Sequence, residues 1–412
     1  SYISNFSTTM MKLNRKIRTY AVVVLVVYGI VAALIAANYF VLYRTGELAK
    51  LPEIVATQQR NGGLYNGLSV GLAAYKYEAY RQRHPEIVAI GTSRAMQIRD
   101  YFFTRPFYNL GGLVQGQAQA FALMDNLLLK HPPKTIVFAV DFWTFCTKKE
   151  EFPPFKRPMG SYHDGQGAPN NYLLLWRLFA KGRLSAANLG KIFKHAFSPQ
   201  HRALPRTGIS SLITDSGFGP DGSLFRLVSQ GDADPTAGIK NRSQSDIAAL
   251  RRGQGRFPTD CRVSNKNMAL IGMLGTELAG RGIDLIVIAP PITSALLRAV
   301  EKIPAANAYM TTWRRRIKEA WPQTYDFTDP RSIGSSDCEF YSGIHGGEVT
   351  YARIFRALAE SGNKRLARML NVKNLNRIIA VGRNKITVAL EFPEKIRKVE
   401  LGGFNACVPS RN

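Results

Sequence analysis

Negative charge is what this chain has least of. Asp and Glu number 29 against 55 Lys and Arg, a formal net charge of +26 at pH 7. Such an imbalance draws a protein towards anionic partners: phospholipid headgroups, acidic polymers or nucleic acid. Nucleic acid is set aside, because no motif for binding it occurs and the chain carries an apolar segment of membrane length. Cysteine is also scarce. Cys146, Cys261, Cys338 and Cys407 show no CxxC spacing, which argues against a zinc site; they permit one or two disulfides, in three full connectivities, or free buried thiols. No internal repeat is evident. No metal or dissociable cofactor is implied. Hydrophobic residues, at 45%, are plentiful enough for a sizeable core, so disorder is not the default.

One long apolar run is present. From Tyr20 to Tyr43 the chain carries no charge, and a helix rising about 1.5 Å per residue over that stretch crosses the ~30 Å hydrocarbon core of a bilayer. Lys12, Arg15, Lys16 and Arg18 precede it, while only Arg44 and Lys50 follow closely. The positive-inside rule then predicts a cytoplasmic segment over 1–19, a transmembrane anchor over 20–43, and an extracytoplasmic (periplasmic) remainder. The run is too long for a cleaved signal peptide and offers only a poor small-x-small site, so an uncleaved, single-pass signal anchor is expected. The lipid bilayer is the first partner, and the cysteines would lie in an oxidising compartment.

Beyond the anchor, residues 44–75 read as a juxtamembrane connector and 71–83 as a helix. Strands are predicted over 86–90, 107–110, 135–140, 283–289 and 324–327. Helices are predicted over about 117–130, 263–281, 305–320 and 348–361. This alternation predicts an α/β domain over 76–372, with a mainly parallel sheet covered on both faces. Residues 150–262, rich in Pro and Gly, break the rhythm and read as an insertion or lid, with helical stretches near 171–195 and 243–252. The tail over 373–412 contains the strand-like RIIAV and KITVALEF and reads as a small β-extension.

Ligands of such sheets bind outside the carboxyl ends of the strands. Four segments converge there: Gly91–Ser93, Asp141–Trp143, Pro290–Pro291 and the loop carrying His345. A serine hydroxyl is a weak nucleophile until a neighbouring base takes its proton, and His345 is the natural base for Ser93. The competing reading of Gly91-Thr92-Ser93 is a strand-to-helix turn with Thr92 or Ser93 as a cap. Ser342 lies three residues before His345, and His163 is the rival histidine. Asn109, Gly111 and Gly112 form a second turn whose N–H groups would complete an oxyanion hole, or serve structure alone. Arg94 beside the serine, and Asp141 and Trp143 at the next strand end, are candidates for contact with substrate. Asp141 reads equally well as a base-orienting group or as a helix cap.

Together, GTSR at 91–94, NLGG at 109–112, the Asp141 strand end and SxxH at 342–345 resemble the SGNH (GDSL-type) hydrolase superfamily in a divergent, membrane-anchored form. The layout is similar to the D-alanine transfer proteins of lipoteichoic acid synthesis and to accessory proteins of exopolysaccharide O-acetylation. The resemblance covers roughly 85–145 and 280–360. It implies a three-layer α/β/α sandwich with Ser93 as nucleophile and His345 as base, and with Asn109 or Gly112 assisting the Ser93 N–H in the oxyanion hole. A membrane-bound O-acyltransferase is the implied protein partner and an anionic cell-surface glycan the implied acceptor. Plain esterase chemistry, or a catalytically silent scaffold subunit, are the alternatives. Thr92 stands where the GDS block has Asp, and Ser342 stands where the DxxH block has Asp. Asp337, Glu348 and Asp141 are the carboxylates expected to substitute, unless the pair works as a Ser–His dyad.

Overall fold

The apolar run and the basic residues before it form a single helix, α1 (Tyr2–Arg44), in the computed structural model of the chain. The structure describes residues 2–149, 169–199, 206–214, 216–226, 235–257 and 260–389. The stretch Ile17–Arg44 is long and apolar enough to cross a membrane, and most of its apolar side chains are exposed. The connector that follows is itself folded, as α2 (Leu51–Asn61), β1 (Leu64–Tyr65) and α3 (Leu72–Arg83). Leu51, Ile54 and Val55 of α2 are buried in the domain core.

Next come β2 (Ile87–Gly91), β3 (Phe107–Asn109), α4 (Gln117–Leu123) and β4 (Thr135–Ala139). The helix expected over 117–130 stops at Leu123 and loosens into a single π-turn over Met124–Leu128. The insertion then supplies α5 (Pro169–Tyr172), α6 (Leu174–Ala180), α7 (Ala186–Phe197), β5 (Arg206–Thr207), α8 (Ile209–Thr214), β6 (Ser216–Phe218), β7 (Leu224–Arg226) and α9 (Pro235–Arg251). The domain resumes with α10 (Asn265–Gly280), β8 (Asp284–Ala289), α11 (Ser294–Glu301), α12 (Pro304–Ala320), β9 (Thr324–Asp326), α13 (Glu348–Ala359), α14 (Lys364–Met369) and α15 (Val372–Val381).

Five strands form one parallel sheet in the order β3-β2-β4-β8-β9. Successive side chains of a strand point to opposite faces, and the two cores divide accordingly. Val88, Ile90, Ile136, Phe138, Leu285 and Val287 join residues of α3, α4, α10, α11 and α12. Ile87, Ala89, Val137, Ala139, Ile286 and Ile288 join α13, α14 and α15. A sheet buried on both faces explains the unbroken apolar runs in β2 and β4. None of its strands comes from the insertion.

A second, four-stranded sheet in the order β5-β1-β6-β7 fuses the connector to the insertion. Glu47 locks that union: its buried carboxylate accepts from the N–H groups of Leu68, Ser69 and Ile209 and from the Ser69 hydroxyl. Burial raises its pKa against the pull of those donors.

The expected β-extension is corrected in its first part. RIIAV lies in helix α15, where the Asn371 side chain caps the Asn374 N–H and Leu375 and Ile378 are buried. Their spacing of three suits a helix against a flat core, and an apolar run this short carries no period of its own. Residues 385–389 form no strand, and 390–412 lie outside the described residues.

Candidate active site

Strand β2 lies between β3 and β4 although the chain visits β3 first, so the strand order reverses at its carboxyl end. Open parallel sheets form their ligand crevice at such a point. Gly91 ends the strand with φ of 142°, where a side chain would collide with the Ala139 carbonyl oxygen at 2.6 Å. The chain then enters a 3-10 turn, Ser93–Gln97, in which the Thr92 hydroxyl accepts from the Arg94 N–H. Thr92 is therefore the cap. Ser93, at the first position of the turn, keeps a half-buried side chain and an N–H with no intrahelical acceptor.

The histidine arrives from the other side of the sheet. A tight turn over 340–346 is closed by the Tyr341 N–H on the His345 carbonyl (2.8 Å) and tied to the start of α11 by the Thr293 N–H on the Gly343 carbonyl (2.8 Å). It brings His345 Nε2 to 2.9 Å from Ser93 Oγ, and His345 Nδ1 to 2.9 Å from Ser342 Oγ. When Nε2 accepts from Ser93, Nδ1 carries the ring proton and donates to Ser342. The Ser342 hydrogen is then free to point onward to a carboxylate.

Asp246, on α9 of the insertion, packs against this turn at Gly343, and its Oδ2 is buried without a hydrogen-bond partner. The Ser342 hydroxyl and the Gly343 N–H both favour its ionised form, while burial, the larger effect, raises its pKa. The close approach depends on Gly343, since a Cβ there would lie 3.0 Å from Asp246 Cβ and 3.1 Å from its Oδ2. Arg256, exposed and 5.2 Å from the Trp143 ring, also favours the ionised forms of Asp246 and Asp141. Asp246 and Arg256 were not foreseen. One acidic residue in a polar helix and one arginine in a basic loop carry no motif, and only the packing of α9 reveals them.

The three carboxylates expected to replace the missing Asp serve elsewhere. Asp337 caps α11 through the N–H groups of Ser294 and Ala295. Glu348 accepts from the Tyr101 hydroxyl, the Thr387 hydroxyl and the N–H groups of Val388 and Ala389. Asp141 accepts from the Thr92 hydroxyl and pairs with Arg94 at 2.8 Å. Burial raises the Asp141 pKa, and the Arg94 guanidinium is the main opposing influence.

Arg94 and Asp141 are accordingly not groups that meet a substrate, for their side chains are 2% and 0% exposed. Arg94 also donates to the carbonyls of Pro290 and Pro291, at 2.7 and 2.6 Å, and so ties the carboxyl ends of three strands beneath the serine. Trp143, nearly buried, lies under the Arg94 guanidinium at 5.4 Å.

The second turn is likewise structural. Asn109 spends both side-chain donors on the carbonyls of Ala95 and Ile98 and accepts from the Gly111 N–H. The Gly112 N–H donates to the carbonyls of Gly91 and Thr92. None of these donors is left for an oxyanion, whereas the Ser93 N–H, in the turn after β2, has no intrahelical acceptor. Lys76, wholly buried, donates to the Gly111 carbonyl from below. The rival His163 lies outside the described residues. Among the described residues no group of three His, Cys, Asp or Glu could hold a metal.

Cys146, just beyond β4, is bonded to Cys261 before α10, and Cys338 is disulfide-bonded as well. Compared with models of known families, with curated proteins and with solved structures, the chain matches none.

Proposed function

We propose that this chain is a membrane-anchored serine acyltransferase or esterase of the SGNH type, a three-layer α/β/α domain held outside the cytoplasm by α1. The observation that carries this reading is the 2.9 Å contact between Ser93 Oγ and His345 Nε2, continued through Nδ1 to Ser342. Ser93 Oγ attacks an ester carbonyl as Nε2 takes its proton. The tetrahedral oxyanion meets the Ser93 N–H, and the leaving alcohol departs with the proton from Nε2. A sugar hydroxyl, or water in the esterase case, gives its proton to Nε2 and attacks the acyl-serine. Ser342 holds the imidazolium's Nδ1–H, and Asp246 supplies charge one hydroxyl further out.

The disulfides suit an oxidising compartment. The net charge of +26 and the exposed Arg256 near the site suit an anionic cell-surface glycan as acceptor. A membrane-bound O-acyltransferase would supply the acyl group. One feature favours the competing reading of a catalytically silent scaffold subunit: a hydroxyl, not a carboxylate, contacts Nδ1.

The test is labelling of the full chain in detergent with a fluorophosphonate, beside Ser93→Ala and His345→Ala. The parent is expected to label, Ser93→Ala not at all, and His345→Ala about 10²- to 10⁴-fold more slowly. An inert parent, or a Ser93→Ala variant that labels equally, overturns the acyl-enzyme. Salt-sensitive binding of an acidic polysaccharide by an inert parent would then support the scaffold.

A further inference from the structure

The outer end of α1 is embraced by helices of the insertion. Leu174, Leu178, Leu184, Ile192, Ala196 and Ile209 pack with Val41 and Leu42 into a small separate core. Asn38 Nδ2 donates to the Tyr172 carbonyl at 2.7 Å, and Arg44 donates to the carbonyls of Ala196 and Ser198 at 2.9 and 2.5 Å. Helices α5 to α7 are thus fixed to the anchor itself.

Their other face carries large apolar side chains that remain exposed among the described residues. Tyr172, Leu173, Trp176, Phe179, Phe193 and Phe197 are all exposed, Trp176 at 54% and Phe179 at 65%. Leu174 and Leu178 turn inward four residues apart, while Trp176 and Phe179 form a second apolar stripe, so α6 is apolar nearly all round. A helix of that kind needs an apolar medium on both sides. Six large exposed side chains on three short helices packed beside α1 also exceed the scattered apolar exposure normal for a soluble surface.

The patch sits at a defined level along α1. Tyr172 stacks on Tyr39 with ring centroids 6.4 Å apart, and Phe197 lies 5.3 Å from Phe40. About twenty helical residues span the hydrocarbon core, so counting from Tyr20 sets Tyr39 and Phe40 at its outer boundary. Trp176 lines a groove with Val31, Leu34 and Ile35, below that boundary. The charge around the patch is of one sign. Arg177, Lys181, Arg183 and Lys194 are exposed on these elements, and no Asp or Glu occurs between Asp164 and Asp215. Aromatic rings at the boundary with basic side chains above them match a membrane interface of anionic lipid.

We propose that α5 to α7 form a collar seated in the outer leaflet beside α1, with Trp176 and Phe179 among the acyl chains and the Lys and Arg residues among anionic phospholipid headgroups. This rests on the reading of α1 as a transmembrane helix. The collar would give the domain a second attachment, holding the Ser93 crevice at a set height and tilt over the bilayer.

The experiment reconstitutes the full chain, parent and Trp176→Phe, into phosphatidylcholine–phosphatidylglycerol vesicles in which the phosphatidylcholine is either ordinary or brominated on its acyl chains. Trp143 and Trp313 are buried, and Trp321 packs against the same core, so Trp176 alone is open to lipid. Brominated lipid is expected to quench part of the parent's tryptophan emission, and that loss should be absent in Trp176→Phe. Equal quenching in both proteins, or none in either, while the chain resists carbonate extraction, overturns the collar and leaves the anchor standing. Shielding of Trp176 by a co-purifying protein does the same and assigns the patch to a protein partner. Release of the chain by carbonate overturns the transmembrane reading, and the collar with it.

Discussion

At the scale of single residues, the proposed site turns on Ser342, the hydroxyl in contact with His345 Nδ1. Ser342 can orient the imidazole but cannot offset its charge; in the proposed mechanism the offsetting charge comes from Asp246, packed against Gly343. Losing the carboxylate that directly contacts a triad histidine costs about 10⁴ in kcat in serine proteases. Coulombic attraction falls with distance, so Asp246→Asn should lower ester turnover by only about 10- to 10²-fold. Ser342→Asp added to that variant should restore most of the loss. Both effects are read as kcat/KM on an activated ester; an unchanged Asp246→Asn removes the carboxylate from the mechanism. Lys76 permits a prediction of stability. Burial pushes its pKa down to about 7, with Asp221 acting in the opposite direction, whereas an unfolded lysine titrates near 10.4. Between those values the unfolded chain binds more protons, so this group makes stability rise with pH, by up to about 1.4 kcal/mol per pH unit. In Lys76→Met that rise should vanish when urea midpoints at pH 7.5 and 9.5 are compared.

At the scale of elements, the insertion does more than cover the crevice. Its strands β5, β6 and β7 complete a sheet begun by the connector, its α9 brings Asp246 to the histidine turn, and its far end is tied back by Cys146–Cys261 across 115 residues of sequence. Closing a loop of that length restricts the unfolded chain by about 4–5 kcal/mol in the entropic account, of which 2–5 is typically realised. Cys146→Ser with Cys261→Ser should therefore lower unfolding stability by about 2–5 kcal/mol, measured by denaturant titration. Fluorophosphonate labelling at low denaturant should fall before global unfolding, because α9 loses its tether while β2 and the His345 turn remain. Coincident loss of labelling and of helical circular dichroism would count against a separately loosened α9.

At the scale of the whole molecule, α1, the connector and the insertion are tied together by hydrogen bonds. Glu47 joins the connector to the start of α8, and Arg44 binds the end of α7, so no slack chain separates α1 from the domain. The excess of positive charge is concentrated in part on the helices that flank α1. This unites two features that the sequence presents as unrelated, the apolar run and the shortage of acid. Under the proposed function, such a fixed approach would remove an orientational entropic cost from the encounter with acyl donor and acceptor.

Much of this was legible in the residues themselves. Buried strands read as apolar runs, Gly-Thr-Ser after such a run reads as a turn at a strand's carboxyl end, and Ser342 and His345 stand three apart in a glycine-rich loop. These are local signals, set by side-chain period and turn chemistry, and they brought out Ser93 and His345, which the fold places 2.9 Å apart. Tertiary structure alone decided the rest. It turned Arg94, Asp141, Asn109 and Gly112 from substrate-side candidates into the scaffold under Ser93, made a helix of RIIAV, paired Cys146 with Cys261, and carried Asp246 to Ser342 across nearly a hundred residues. Each of those outcomes depends on which distant group occupies a neighbouring position, and the identity of a distant neighbour leaves no periodicity or spacing in the chain.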